Sequence, residues 1–451
     1  MVQVYADWYD RHQDPSWQDI LLTDPADGAR RPIAFEIPRT SNDLRRLGHA
    51  IYSVAFLSAG NVTHTPGYGA LIALGIADAV ASIGMPPERV AAASAYRDLV
   101  ARTGRFITFS SGNAPVGDRF RGDDEKIGVR VIRETDAGVV VAGMAGMHTS
   151  VPVAEDVFVS AGTSPDVSKR IWFAVAVNAP GVRVIARKAV AHHNSAFKAP
   201  LSSRYDELDA QLWLDDVLIP WERVFAINFD PGEGIGERRH DRIVPWLLWH
   251  QQIGWLARAE FVLGVALALS EVMGLRQNPG AVNQLVDLVV AVQTIRSCVT
   301  AAELDPELTE AGHLVPRLLH LAPASIHTLN MRQRASEILR NIPGSSLVVA
   351  PTDRDLDDPA LAADLELAFG GGGYTARQRA ALLHLAWDLV SSELDGREST
   401  FELHANGGIP VWRGRIQRWF DRYDELANGV LSAIDTDLPP LDLGSLRNVS
   451  R

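Results

Sequence analysis

The chain holds a single cysteine, Cys298, among 451 residues, which excludes an intrachain disulfide framework. Long hydrophobic runs are missing as well. No unbroken apolar stretch approaches the roughly 18 residues of a membrane span, so no membrane partner is expected. Positive charge is scarce, with 43 Lys and Arg against 55 Asp and Glu and a formal net charge of -12. No basic run exists to neutralise phosphates, and nucleic acid is not an expected partner. The first residues, MVQVYADWYDRHQDP, carry no basic segment followed by an apolar one. A signal peptide is therefore not expected, and the expected location is cytoplasmic. No glycine fingerprint follows a strand-like run, and P-loop, HExxH and GxSxG patterns are missing. Gly232–Gly236 lies in an acidic stretch and Gly370–Gly373 follows a helical one, so neither reads as a phosphate cradle. Hydrolase and nucleotide-kinase readings have no residues to rest on.

What is present is an ordinary globular composition, 47% hydrophobic and 22% charged, long enough for two or three domains. Thr40 with Asp43 reads as a capping box, and Leu44, Leu47, Ile51 and Val54 follow at near-helical spacing. Further helices are expected over 68–83 and 88–102. The character changes near Lys126: runs at 129–132 and 139–141 around Asp136-Ala137-Gly138 read as a hairpin. Strands over 157–159, 171–177, 182–185 and 211–219 follow, the last closed by Pro220. From Pro245 onward, long apolar or amphipathic helices are expected at 246–275, 281–304, 322–342, 375–393 and 411–434. The expected division is an N-terminal helical domain over 1–125, a β domain over 126–228 and a helical bundle over 240–440.

One segment is denser in chemistry than the rest. Ser202, Ser203, Arg204, Asp206, Glu207 and Asp209 stand directly before the alternating run Gln211-Leu212-Trp213-Leu214. The expectation is that the carboxylates fix Arg204; a plain salt-bridged lead into a strand is the alternative.

The block PLSSRYDELDA (200–210), followed by DDVLIPWERV (215–224), resembles the 4-hydroxyphenylacetate 3-monooxygenase family. These are the oxygenase subunits of two-component flavin-dependent aromatic hydroxylases. Thr65-Pro66-Gly67-Tyr68, Glu134-Thr135-Asp136-Ala137-Gly138, Ala386-Trp387-Asp388 and Gly396-Arg397 continue the resemblance in order. It implies an α+β, acyl-CoA dehydrogenase-like fold: N-terminal helices, a β-barrel-like middle and a C-terminal four-helix bundle, in a homotetramer or homodimer. The implied reaction is hydroxylation of an aromatic or electron-rich ring through a flavin C4a-hydroperoxide. Its partners are dioxygen, an aromatic substrate and reduced FAD, less so FMN, from a separate flavin reductase. The iron–sulfur dehydratases that share this fold need several thiols, which one cysteine cannot supply.

The resemblance also implies site residues. The arginine and tyrosine that hold the phenol in the family fall on His64 and Tyr68 here, and histidine cannot copy an arginine's fork. Phe109 takes the place of the family's catalytic histidine and can stack on a ring but not move a proton. Ser110, Ser111, Asp118 and Arg119 match the stretch where relatives contact the flavin, Thr149 the residue at the isoalloxazine edge, and Gly396 with Arg397 a further FAD contact. His250, opening a bundle helix, is the expected replacement base. His192 and His193 are adjacent, so a shared metal site is not expected. The changes at His64 and Phe109 imply a substrate unlike 4-hydroxyphenylacetate, with a larger biosynthetic scaffold the expectation. They leave open an oxidase, dehydrogenase or rearrangement catalyst on the same fold, or a non-catalytic homologue. A water-excluding cavity walled by Tyr68 and Thr149 is expected.

Overall fold

The computed structural model describes residues 2–23, 30–110, 127–161, 170–190, 195–229, 242–404, 408–431, 433–434 and 438–448. Helices come first: α1 (Val2–Arg11), α2 (Pro15–Leu21), α3 (Ser41–Leu57), α4 (Pro66–Ser82) and α5 (Pro87–Thr103). A two-residue ladder, β1 (Leu22–Thr23) with β2 (Arg31–Pro32), precedes α3. The capping box at Thr40 and Asp43 is formed, each side chain taking the other's backbone N–H, and it fixes where α3 starts. Thr65 starts α4 the same way, its hydroxyl accepting the N–H of Tyr68, with Pro66 at the first helical position.

The strands are β3 (Ile107–Ser110), β4 (Arg130–Thr135), β5 (Gly138–Thr149), β6 (Asp156–Ala161), β7 (Ile171–Ala176), β8 (Val182–Ala186), β9 (Asp209–Pro220) and β10 (Val224–Ile227). They form two four-stranded sheets, ordered β10-β7-β6-β3 and β4-β5-β9-β8. β3 runs parallel to β6, and the other neighbours are antiparallel. Alternate residues of both sheets, among them Val141, Val159, Phe173, Leu212 and Leu214, meet in one apolar core. The expected hairpin is present, turning at Asp136 and Ala137.

Three strand expectations need correction. β5 continues past Val141 to Thr149, because the left-handed Gly143 and two register shifts carry the strand on where apolar alternation stops. β9 is not the last strand, since β10 follows and pairs with β7. β3 forms upstream of the expected strands; at four residues it is too short to show a period.

The chain then returns to helix with α6 (Ile243–Val272) and α7 (Pro279–Leu304). The short ladder β11 (Glu307–Leu308) with β12 (Leu314–Val315) leads to α8 (Leu318–Asn341). After α9 (Asp353–Asp357) and α10 (Ala362–Phe369) come α11 (Ala376–Val390), α12 (Glu393–His404), α13 (Gly408–Trp419) and α14 (Tyr423–Leu431). The single helix expected over 411–434 is two, and Arg422 pairs with Glu425 across the start of α14. α6 and α7 are each long and apolar enough to cross a membrane by length and composition, which corrects the expectation from unbroken runs. Scattered Gln, Arg and Glu interrupt those runs, yet the mean hydropathy over an 18-residue window of each helix stays at 1.5. In the fold α6 is the bundle's central rod: Trp246, Leu248, Trp249 and Ile253 are buried against residues of α3, α4, α7 and α8.

Candidate active site

The segment joining α3 to α4 is held against α6 and the β sheets. Gly60 adopts a left-handed φ of 71°, and a Cβ there would lie 2.5 Å from that of Arg258 on α6. Arg258 Nη1 donates to Asn61 Oδ1 at 2.5 Å. Beyond Val62, two residues present their backbone N–H groups to one carboxylate: Thr63 N and His64 N donate to Glu207 Oε1 at 2.5 and 2.6 Å. Glu207 lies just before β9 and is fully buried. Its other oxygen is 3.3 Å from His64 Nδ1 and 3.4 Å from Arg397 Nη1 on α12. Burial alone would raise this carboxyl's pKa, but His64, Arg397 and the backbone N–H bonds bring it below its ordinary value.

Because Thr65 caps α4, His64 and Tyr68 stand one turn apart and their rings meet edge to face, centroids 4.7 Å apart. Tyr68 in turn meets the ring of His250 at 5.1 Å, so the three expected substrate-side residues form one cluster. Burial, then the negative charge of Glu207, raises the Tyr68 pKa, and the side chain stays a neutral hydrogen-bond donor. Burial, helped by His64, pushes His250 down to about 3, and its Nδ1 is buried without a hydrogen-bond partner among the described residues. A base that weak takes few protons near neutrality. His250 is therefore uncharged and forms one wall of the cluster. His64 is better placed for proton work, with Nδ1 against Glu207 and Nε2 without a hydrogen bond among the described residues.

Thr149 and Arg397, expected at the flavin, do come together. Thr149 Oγ1 donates to Asp209 Oδ1 at 2.9 Å, and Arg397 Nη2 reaches the same oxygen at 2.6 Å. Arg397 also bonds Glu398 at 2.7 Å, and its guanidinium lies 4.6 Å over the ring of Phe401, which meets His64 at 5.8 Å. Burial would lower its pKa, but Glu398, Asp209 and Glu207 keep it charged and neutralised, which leaves little for a phosphate. Among the described cavities none is walled by both Tyr68 and Thr149: the α12 side chains Arg397 and Phe401 bridge Thr149 to His64. A Cβ on Gly396 would meet nothing within 4 Å. Phe109 packs on Phe158 at 5.8 Å and lies against the same apolar cluster as Tyr68, while the next residue, Ser110, is buried. Ser111, Asp118, Arg119, His192 and His193 lie outside the described residues.

The acidic cluster does not fix Arg204, which is exposed. Its carboxylates take arginines from elsewhere: Arg187 bonds Asp206 at 2.5 Å and Asp209 at 2.9 Å, and Arg397 completes the set. A buried carboxylate needs an opposite charge it can reach without straining its own turn, and these arginines approach from a β8 end and from α12. The turn itself is pinned to the bundle by Asp388 of α11, which accepts the N–H groups of Leu201 and Ser202 at 2.8 Å each. This leaves the hydroxyls of Ser202 and Ser203 buried without partners among the described residues, at the seam between sheet and bundle. Such orphaned donors fit the carbonyl and phosphate oxygens of a flavin nucleotide.

Two contributors were not singled out as site residues. Glu207 lay within the polar cluster but gave no sign of its partners, which are 143 and 190 residues away. Tyr5 donates to the backbone oxygen of His64 at 2.9 Å and lies 2.9 Å from Ser150 Oγ, tying α1 to the site; nothing in its surroundings in sequence marks it.

Residues 1–226 match the family described as 4-hydroxyphenylacetate 3-hydroxylase N terminal, and residues 243–430 its C-terminal counterpart. The chain belongs to this family. The 4-hydroxyphenylacetate 3-monooxygenase oxygenase component of Thermus thermophilus is 30% identical over 415 residues, covering 89% of this chain and 83% of that protein. A solved oxygenase component of 4-hydroxyphenylacetate 3-monooxygenase, complexed with FAD and 4-hydroxyphenylacetate, is 26% identical with a TM-score of 0.86, covering 96% of this chain and 91% of that one. An archaeal 4-hydroxybutyryl-CoA dehydratase shares the fold at a TM-score of 0.82 and 16% identity, covering 99% of this chain and 91% of that one. The fold is the expected acyl-CoA dehydrogenase-like one, and the lone Cys298, half-buried on α7, lacks the companions an iron–sulfur cluster needs.

Proposed function

We propose that the protein is the oxygenase component of a two-component flavin-dependent monooxygenase, hydroxylating an aromatic ring with dioxygen and with reduced FAD received from a separate reductase. The observation that carries this reading is the His64–Tyr68–His250 ring cluster, anchored by Glu207 where sheet, α4 and α6 meet. When bound, reduced FAD supplies the oxygen-activating chemistry. Phe109 offers it a ring face, and Ser202 and Ser203 offer hydroxyls. Tyr68 donates a hydrogen bond to the substrate oxygen. His64 takes the proton of that hydroxyl at Nε2, while Glu207 holds Nδ1 and balances the charge. The packed rings keep water from the reacting atoms.

The ring accepted is one other than 4-hydroxyphenylacetate, a larger biosynthetic scaffold being the favoured case, because His64 replaces the family's arginine and lacks its fixed fork. Exposed Val282, Val286, Val289 and Val290 on α7 fall on one helix stripe and support a homodimer or homotetramer, which light scattering in solution tests. The proposed location is cytoplasmic.

The deciding experiment combines the purified protein with a flavin reductase, FAD and a panel of phenols under oxygen-18 gas. One labelled atom in the product supports a monooxygenase. Product without label, or turnover best on 4-hydroxyphenylacetate, defeats the corresponding part of the proposal.

A further inference from the structure

Behind the ring cluster lies a small cavity of about 20 Å³, room for one small molecule, and a second of about 110 Å³ abuts it. The inner cavity is walled mainly by aliphatic side chains of α3 and its neighbours, such as Leu47, Ile51 and Val62, and it ends on His250. Most of its polar wall atoms are engaged elsewhere, His250 Nδ1 being the exception. Thr63 Oγ1 faces Glu207 at 3.3 Å, Thr65 Oγ1 caps Tyr68 at 3.3 Å, and His12 Nδ1 bonds Trp8 O at 2.8 Å. The outer cavity reaches exposed Asp7 and Leu57. Trp8, Val54, Val62 and Thr65 belong to the walls of both, so the two are separated only by side chains.

The inner cavity suits neither a flavin nor a phenol, which need directed hydrogen bonds to be oriented. Apolar cavities stay dry and take up small neutral apolar molecules. Resting on the monooxygenase reading, we propose that these two cavities are the route by which dioxygen reaches the site, entering past Trp8 and Val54 and arriving at His250 and Tyr68. The path approaches the ring cluster from α1 and α3. The buried serine hydroxyls offered to the flavin lie instead at the seam of sheet and bundle, so gas and cofactor need not share an opening.

Crystals of the protein pressurised with xenon test the cavity without any turnover. The expected result is an anomalous xenon peak among Leu47, Ile51, Val62 and His250; its absence, or ordered water filling the space, overturns the proposal. Val54 is half-buried at the junction, so Val54→Trp narrows the passage, with Val54→Leu as the milder variant should the first not fold. In the variant the xenon peak weakens or disappears. The reaction of the reduced-FAD-loaded enzyme with dioxygen slows several-fold, while reduced FAD binds anaerobically as tightly as before. An unchanged oxygen rate defeats the route. A xenon peak in a protein that binds no reduced FAD would leave an apolar gas site standing but remove dioxygen as its purpose, and that outcome sinks the monooxygenase reading separately.

Discussion

Glu207 Oε2 lies 3.3 Å from His64 Nδ1, and through this contact a carboxylate before β9 sets the orientation of a ring at the mouth of α4. Glu207→Gln removes the charge that faces His64 and Arg397 while keeping the shape. The expected stability loss is about 1–3 kcal/mol, the cost of leaving buried partners poorly satisfied, read from urea unfolding. Hydroxylation falls in kcat more than in KM, because the ring remains but its proton is no longer balanced. Glu207's folded pKa lies below its ordinary value of 4.5, so its contribution is present above that value and is lost as pH falls through the lower folded pKa. The acid-unfolding limb of Glu207→Gln below pH 4.5 should be shallower than that of the parent.

His250 shifts stability in the same direction, but from a higher pH. Its folded pKa of about 3 lies below the ordinary 6.5, so the unfolded chain takes the proton first. The stability it contributes is complete above 6.5 and declines as pH falls from there toward 3, by an amount of roughly 4–5 kcal/mol over the full range. Buried His148, pushed down to about 4 by its own burial, acts in the same direction. His250→Phe fills the same space without a titrating group. Its melting temperature should therefore drop less between pH 7 and pH 5 than the parent's, and an equal drop would assign the acid sensitivity elsewhere.

What could be read from sequence was what is local. The period-two alternation of β9, the capping box at Thr40 and the helical spacing of α3 each depend on neighbours in the chain, and each formed where expected. The partners of Asp206, Glu207 and Asp209 were not local. Arg204 was the nearest cation, yet Arg187 and Arg397 hold the cluster, because a turn pinned by Asp388 leaves Arg204 facing solvent. Likewise α12 was invisible as a helix, since Asp395-Gly396 weakens its propensity; packing against the acidic cluster through Arg397 supplies what propensity lacks.

Arg397→Ala tests that last statement. The guanidinium is 7% exposed and neutralises Asp209 and Glu398 together with Glu207. Removing it leaves buried carboxylates uncompensated, at an expected cost of about 3–5 kcal/mol by chemical denaturation. Arg397→Lys keeps a charge but not the fork and should fall between. A loss under 1 kcal/mol for Arg397→Ala would mean that Arg187 alone suffices.

Tyr5→Phe removes one hydroxyl that joins α1 to His64 O and Ser150 Oγ, both at 2.9 Å. The expected stability change is about 0.5–1.5 kcal/mol. Its functional effect should appear in the KM for the aromatic substrate with kcat nearly kept, since the backbone of His64 is loosened and its ring chemistry is not altered.

The most discriminating substitution is His64→Arg. The place next to Tyr68 now holds a ring whose Nδ1 is committed to Glu207. An arginine there would bring a permanent cation with a second, planar face of donors, and Glu207 is already positioned to receive one edge of it. A charged hydrogen bond of this kind is worth about 1.5–3 kcal/mol, or roughly a ten- to hundredfold preference. Relative to 4-ethylphenol, kcat/KM for 4-hydroxyphenylacetate should therefore rise by that order in His64→Arg. If instead the ratio stays at the parent's value while both substrates lose activity alike, His64 does not select the substrate, and the distinction from the hydroxyphenylacetate enzymes must lie at Phe109.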